Sequence, residues 1–151
     1  MVLTFFGHRH FQESSQIETH LLDLFETLSN GQPIIFYLGG YGNFDMFALR
    51  CAKRYQSTHD GVKVIFVTPY LSEKYSKLTH AKENYDGTIY PELESVPYQY
   101  AILKRNEWMV ENADHIVFYV AHAYGGAYKA YLHAKRKKKA YTNLSNIALF
   151  G

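Results

Sequence analysis

A single cysteine, Cys51, stands among 151 residues, so no disulfide can close within the chain and its core alone must hold it together. That count points to the reducing cytoplasm. The opening M-V-L-T-F-F-G-H-R agrees, having no basic region followed by a long apolar stretch, so no secretory leader is expected. No apolar run approaches the roughly 20 residues that cross a bilayer, and no membrane partner is predicted. Charge of one sign is lacking too: 16 Lys and Arg against 14 Asp and Glu give +2, too little for a general nucleic-acid field. The eight histidines show no metal-ligand spacing, His8 and His10 being two apart and the others scattered, so no metal and no resident cofactor are predicted. No repeat and no linker divides the chain, which reads as one domain over residues 1–151.

What the chain has is apolar mass. Hydrophobic residues make up 47%, which excludes global disorder. Tyrosine is unusually frequent, 14 residues beside 10 Phe. Most of these read as half-buried stand-ins for Leu and Phe, and the remainder suit a base-stacking pocket or a subunit interface.

Val2 to Phe6 reads as a first strand, and Ile17, Leu21, Leu22, Leu24, Phe25 and Leu28 as a first helix stopped by Asn30-Gly31. Ile34 to Leu38 is a second strand. Phe44, Phe47, Ala48, Cys51 and Tyr55 line one face of a second helix, and Val62 to Val67 forms a third strand. Periodicity is lost from Tyr70 to Val96, which reads as an irregular insert or lid. A helix then runs from about Pro97 to Asn112, followed by a strand over Ile116 to Val120, a helix from Gly126 to about Lys137, and a short strand over Ala140 to Leu144. This alternation predicts an α/β, Rossmann-like fold: a parallel sheet of about five strands with helices on both faces. A strand order of 3-2-1-4-5 puts the topological reversal, and a crevice, between strands one and four.

Three apolar runs break into glycine-bearing turns at strand ends: Gly7-His8-Arg9, Gly39-Gly40-Tyr41-Gly42-Asn43-Phe44-Asp45, and Tyr124-Gly125-Gly126-Ala127. Where such a turn opens a helix, it brings N–H groups and a positive helix end to the sheet's edge, a natural anion site. Arg9 is placed for bidentate contact to a phosphate, and His8 can donate to an anion or act as acid or base. Asn43 is the expected helix cap. Asp45 reads either as a dipole-complementing first-turn acid or as a reader of ribose hydroxyls. The glycine pattern is neither G-x-G-x-x-G nor a Walker loop, so those templates for NAD or ATP do not apply. Arg105 falls on the stripe of Tyr98, Ala101, Ile102 and Met109, where a charge must be paired or used. Its reading is an anion-binding Arg, with an ion-paired or snorkelling Arg as the alternative. Glu92, in the turn-like Thr88 to Glu92, is a carboxylate with access to the crevice or to solvent. The basic run Lys135 to Lys139 reads as a solvated helix end.

Taken together, Thr4-Phe5-Phe6-Gly7-His8-Arg9, Gly42-Asn43-Phe44-Asp45, Tyr90-Pro91-Glu92, Arg105-Asn106-x-Trp108-Met109 and Gly125-Gly126-Ala127 resemble the SLOG superfamily, in particular its small YpsA-related members. The superfamily takes its name from the Smf/DNA-processing protein A group and the "lonely guy" (LOG) enzymes. The resemblance implies a Rossmann-like domain that binds nucleotides or nucleotide-derived ligands. Some members cleave N-glycosidic bonds, some sense NAD-derived signals, and others help load recombinase on single-stranded DNA. LOG phosphoribohydrolases carry R-K-x-x-M, a strand, then P-G-G-x-G-T-x-x-E, with the Arg and the last Glu as catalytic pair. Arg105 to Met109 matches the first part. The Glu position falls on Leu132 or Ala130, neither of which ionises.

The resulting expectation is a binding domain, with hydrolysis as the alternative. Gly7, His8, Arg9, Gly39, Gly40, Gly42, Asn43, Arg105, Asn106, Gly125 and Gly126 would hold a phosphorylated ligand. Asp45 would read ribose, and Tyr41, Tyr90 or Tyr124 would stack on a base. Were the protein an N-glycoside hydrolase, Asp45, Glu92 and Arg105 would be its catalytic candidates. Single-stranded nucleic acid is a further possible partner through Tyr stacking and Lys135 to Lys139. A homodimer or higher homo-oligomer is expected, with the helix around Trp108 as contact region.

Overall fold

A computed structural model describes residues 1–71 and 83–145. Six strands form one sheet: β1 (Val2–Gly7), β2 (Ile35–Leu38), β3 (Lys63–Val67), β4 (Gly87–Ile89), β5 (His115–Tyr119) and β6 (Ala140–Asn143). The helices are α1 (Ser15–Ser29), α2 (Gly42–Gln56), α3 (Ala101–Asn112), which a 3-10 turn over Tyr98–Tyr100 precedes, and α4 (Gly126–Arg136). Every strand pair is parallel, in the order β4-β3-β2-β1-β5-β6. The expected order stands, with one strand more than expected at the edge. That strand, β4, is three residues long and pairs Gly87 to Ile89 with Ile65 to Val67. It lies inside the segment read as irregular, so that reading is corrected for 87–89. Residues 72–82 of the expected lid lie outside the described residues.

Strand alternation splits the core into two layers. Leu3, Phe5 and Val117 meet Leu21 and Phe25 of α1 and Phe44, Phe47 and Ala48 of α2 on one face. Phe6, Ile116 and Phe118 meet Met109 and Val110 of α3 and Ala130 and Ala134 of α4 on the other. Local signals set the ends of α1: Ser14 Oγ accepts the Ile17 N–H at 3.2 Å, and Asn30 takes the left-handed C-cap at φ 47°. Cys51 is buried in the first layer, where burial pushes its thiol up to about 12 and leaves it unreactive.

Two details of α3 depart from the sequence expectation. Ala101, Arg105 and Met109 are buried, but Tyr98 and Ile102 are exposed. Tyr98 belongs to the 3-10 turn, whose three-residue period breaks the stripe, and Ile102 lies one residue round the helix from Ala101. Trp108 is half-buried and stacks on Tyr37 of β2, ring centroids 5.6 Å apart. The large apolar side chains that this region exposes are Tyr98, Tyr100, Ile102 and Leu103.

Gly7 sets how closely α2 rides on β1. A Cβ there would sit 2.2–2.5 Å from Phe44 side-chain atoms, and Phe44 is fully buried. Gly7→Ala therefore forces α2 off the sheet, an overpacking cost of about 1–3 kcal/mol. Urea denaturation should show a lower midpoint; an unchanged midpoint would mean that this contact does not limit packing.

Candidate functional site

The chain reverses its direction of travel across the sheet between β1 and β5, and a cleft of about 630 Å³ opens at their carboxyl ends. Gly7, His8, Arg9 and His10 line it from β1, Tyr41 and Gly42 from the start of α2, and His122 and Tyr124 to Ala127 from the approach to α4. A smaller cavity of about 120 Å³ shares Gly7, Tyr41, Gly126 and Ala127 with the cleft and adds Gly39, Asp45, Arg105 and Asn106. Most of the residues read as ligand-binding from sequence thus converge on one place.

The helix-opening turns are not equivalent there. At α2, the Asp45 carboxylate accepts the Tyr41 N–H at 3.0 Å, and the Arg9 carbonyl accepts the Asn43 N–H at 3.1 Å. Asp45 therefore caps this helix in place of Asn43, which lies exposed in the first turn and makes no side-chain cap. Gly40 packs beside Phe66. At α4, by contrast, Gly125 adopts φ 92°, a conformation that favours glycine, and accepts the Lys129 N–H at 3.1 Å. The N–H groups of Gly126, Ala127 and Tyr128 have no hydrogen-bond partner among the described residues. A Cβ built on Gly125 or Gly126 would meet nothing within 4 Å.

Arg105 is 3% exposed. Its Nη1 donates to the carbonyls of Gly39 (3.2 Å) and Val67 (2.7 Å), and its Nε to Asn106 Oδ1 (2.9 Å). The guanidinium lies 5.6 Å from the Tyr41 ring centroid. Burial draws its pKa down, and the negative charge of Asp45 opposes that shift most. The sequence placed Arg105 inward correctly; its carbonyl partners, 38 and 66 residues away, could not be read there.

Three rings stand face to face along the cleft. His8 and His122 centroids are 3.5 Å apart at 12°, and His122 and Tyr124 are 3.8 Å apart at 18°. His8 Nε2 accepts the Ala121 N–H at 2.7 Å, so that nitrogen carries no proton. His122 Nδ1 is buried without a partner among the described residues. Sequence reasoning missed both His122 and His10; the A-H-A-Y run before Gly125 is the signal that marks His122 as part of the turn.

Tyr90 and Glu92 do not reach the cleft. They follow β4, three strands away from β1, and neither lines the cleft or the smaller cavity. Of the basic run, Lys139 Nζ donates to the carbonyls of Glu111 and Ala113, both at 3.0 Å, and Lys137 lies 3.9 Å from the Glu111 carboxylate. Glu107, Glu111 and His133 bring their ligand atoms within 4.8 Å of one another across α3 and α4, a grouping that spacing along the chain does not reveal. Its inner pair is an interhelical contact, His133 Nε2 to Glu111 Oε2 at 3.1 Å, with Arg136 on the other imidazole nitrogen.

Burial, reinforced by His122, holds His8 below the ordinary histidine value, and burial does the same to His115. The unfolded chain therefore takes up these protons first as the pH falls. Their contribution to stability is full above about pH 7 and declines as the pH drops below about 6.5. Thermal melts from pH 8 to pH 5 should show this decline, shallower for His8→Gln, which has no proton to gain there. Equal slopes in the two chains would remove His8 as a contributor.

A scan against protein-family models and a search of curated proteins both return no match. Solved structures do share the fold. DNA processing protein A from Helicobacter pylori, described for its single-stranded DNA binding, has a TM-score of 0.60 at 15% identity over 93% of this chain. DNA processing protein A from Streptococcus pneumoniae has 0.62 at 16% over 92%. The structural-genomics target TM1055 has 0.57 at 15% over 93%, and 71% of its own length is covered. The alignments span 63% and 48% of the two DNA processing proteins, so the likeness concerns a part of each. At the level of fold, the Rossmann-like reading holds. Among the described residues, no helix is long and apolar enough to cross a membrane.

Proposed function

We propose that this chain binds a nucleotide or nucleotide-derived ligand at the carboxyl edge of its sheet, as a sensor, sequestering protein or accessory module. One observation carries the reading: the open amino end of α4 borders a 630 Å³ cleft lined by Arg9, His8 and His10 and, among the described residues, by no carboxylate. Backbone N–H groups, the helix dipole and an exposed Arg together favour a phosphate. The volume suits a nucleoside monophosphate. Asp45 and Arg105 border the adjoining cavity, where ribose hydroxyls would meet them.

Binding without hydrolysis is supported by the position where LOG enzymes carry their catalytic Glu. Its two possible occupants here are Ala130, 5% exposed in the core, and Leu132, packed against that same layer. Native mass spectrometry of the purified protein, then incubation with a panel of nucleoside monophosphates, tests the reading. The expected result is bound, intact nucleotide. Release of free base would make the protein an N-glycoside hydrolase, and no retention of any nucleotide would end the proposal.

A second reading, single-stranded nucleic acid as partner, is favoured by the exposed Tyr98 and Tyr100, with Tyr70 stacked on Tyr98 at 4.9 Å, on a fold shared with DNA processing protein A. Salt-sensitive binding of a labelled oligothymidylate would support it. The same exposed face, with Ile102 and Leu103, suits self-association. Light scattering should then report twice the 17.5 kDa chain mass at micromolar concentration, and a 17.5 kDa particle would exclude the dimer.

A further inference from the structure

We infer that the His8–His122–Tyr124 ladder is the base platform of the cleft, on whose outer face a nucleobase stacks as the fourth layer. The inference rests on the nucleotide-binding reading and specifies where its base lies. The ring separations of 3.5 and 3.8 Å, at 12° and 18°, make a tight parallel stack, whereas the stacked Phe pairs of the core, Phe5–Phe36 and Phe6–Phe118, lie 5.9 Å apart. The inner end is fixed, because His8 Nε2 is held by the Ala121 N–H. The outer end is open: Tyr124 is 69% exposed, and His122 is its only ring neighbour among the described residues.

His122 joins the ladder through its ring, which faces His8 on one side and Tyr124 on the other. Its Nδ1 is buried without a hydrogen-bond partner among the described residues, so its polar edge adds nothing there. Of the other tyrosines with a case for this task, Tyr41 lies over the Arg105 guanidinium and Tyr90 is outside the cleft. Tyr124 precedes Gly125-Gly126 directly, so a phosphate on the α4 amides leaves the base beside Tyr124. Stacking on a flat ring tolerates any base, which predicts affinity for nucleotides with little preference among bases.

The test compares adenosine 5′-monophosphate with ribose 5-phosphate by titration calorimetry on the full chain and on Tyr124→Ala, Tyr124→Trp and His122→Ala, with circular dichroism as the folding check. Tyr124→Ala should weaken the nucleotide about 5- to 100-fold and leave ribose 5-phosphate unchanged. Tyr124→Trp should retain nucleotide affinity, and His122→Ala should lose part of it. An equal loss for both probes, or none, overturns the platform. Wild-type protein that binds ribose 5-phosphate as tightly as the nucleotide also overturns it, while the phosphate site survives. Wild-type protein that binds neither probe ends the nucleotide reading and the platform together.

Discussion

Arg105 reaches from α3 to the carboxyl ends of two strands, and the edge of the sheet is organised around it. Its Nη1 bridges the carbonyls that follow β2 and close β3, so one cation satisfies acceptors on neighbouring strands. A buried guanidinium is costly unless its donors are used. Here Nη1 and Nε are used on the protein, Tyr41 covers the face, and the Asp45 charge opposes the loss of solvation. Removing the side chain would leave buried carbonyls unpaired, each worth roughly 1–3 kcal/mol. The same bracket holds Gly39 and, through it, the turn that positions Tyr41 and Gly42 on the cleft.

The glycine turns show how one residue type serves different physics. Gly7 gives way to Phe44, so its purpose is packing. The turn before α2 is filled from within, with Asp45 on the Tyr41 N–H and the Arg9 carbonyl on the Asn43 N–H. The turn before α4 keeps open space beside its glycines and, among the described residues, three consecutive N–H groups without a partner. The sequence treats the latter two alike because one group that fills the turn before α2, the Arg9 carbonyl, comes from elsewhere in the chain. Arg9 and Asn43 are 34 positions apart, and no local pattern pairs them.

Legibility followed the same division. Five of the six strands, α1 with its Asn30 stop, the parallel order and the reversal beside β1 are readable, since periodicity and handedness are local or general rules. β4 is not, because three residues carry too little pattern and its pairing with β3 is what makes it a strand. The α2 cap was misassigned to Asn43 because a side chain four residues inside the helix start reaches back further than the usual cap rule assumes. Tyr98 and Ile102 were placed inward by extending one period through a 3-10 turn. Arg105 was found as a buried charge, but its carbonyl partners are tertiary facts.

Electrostatics separate the two cavities and argue for how the site divides its work. The large cleft is lined by groups that donate or stack, and His8 is kept neutral by its bond to Ala121 and by burial, with its neighbour His122 adding to the effect. Around neutral pH it therefore offers ring faces and amides, with Arg9 as its one permanently charged lining side chain among the described residues. The small cavity instead has Asp45 and Arg105 on its wall, both already bonded to protein groups. A carboxylate that caps a helix and a guanidinium that brackets two strands are fixed in place, which suits holding a ligand's polar edge. A carboxylate that serves as general acid or base exchanges protons with its substrate. Asp45 would have to do so while holding the Tyr41 N–H, and protonation would weaken that bond at the step where it is needed.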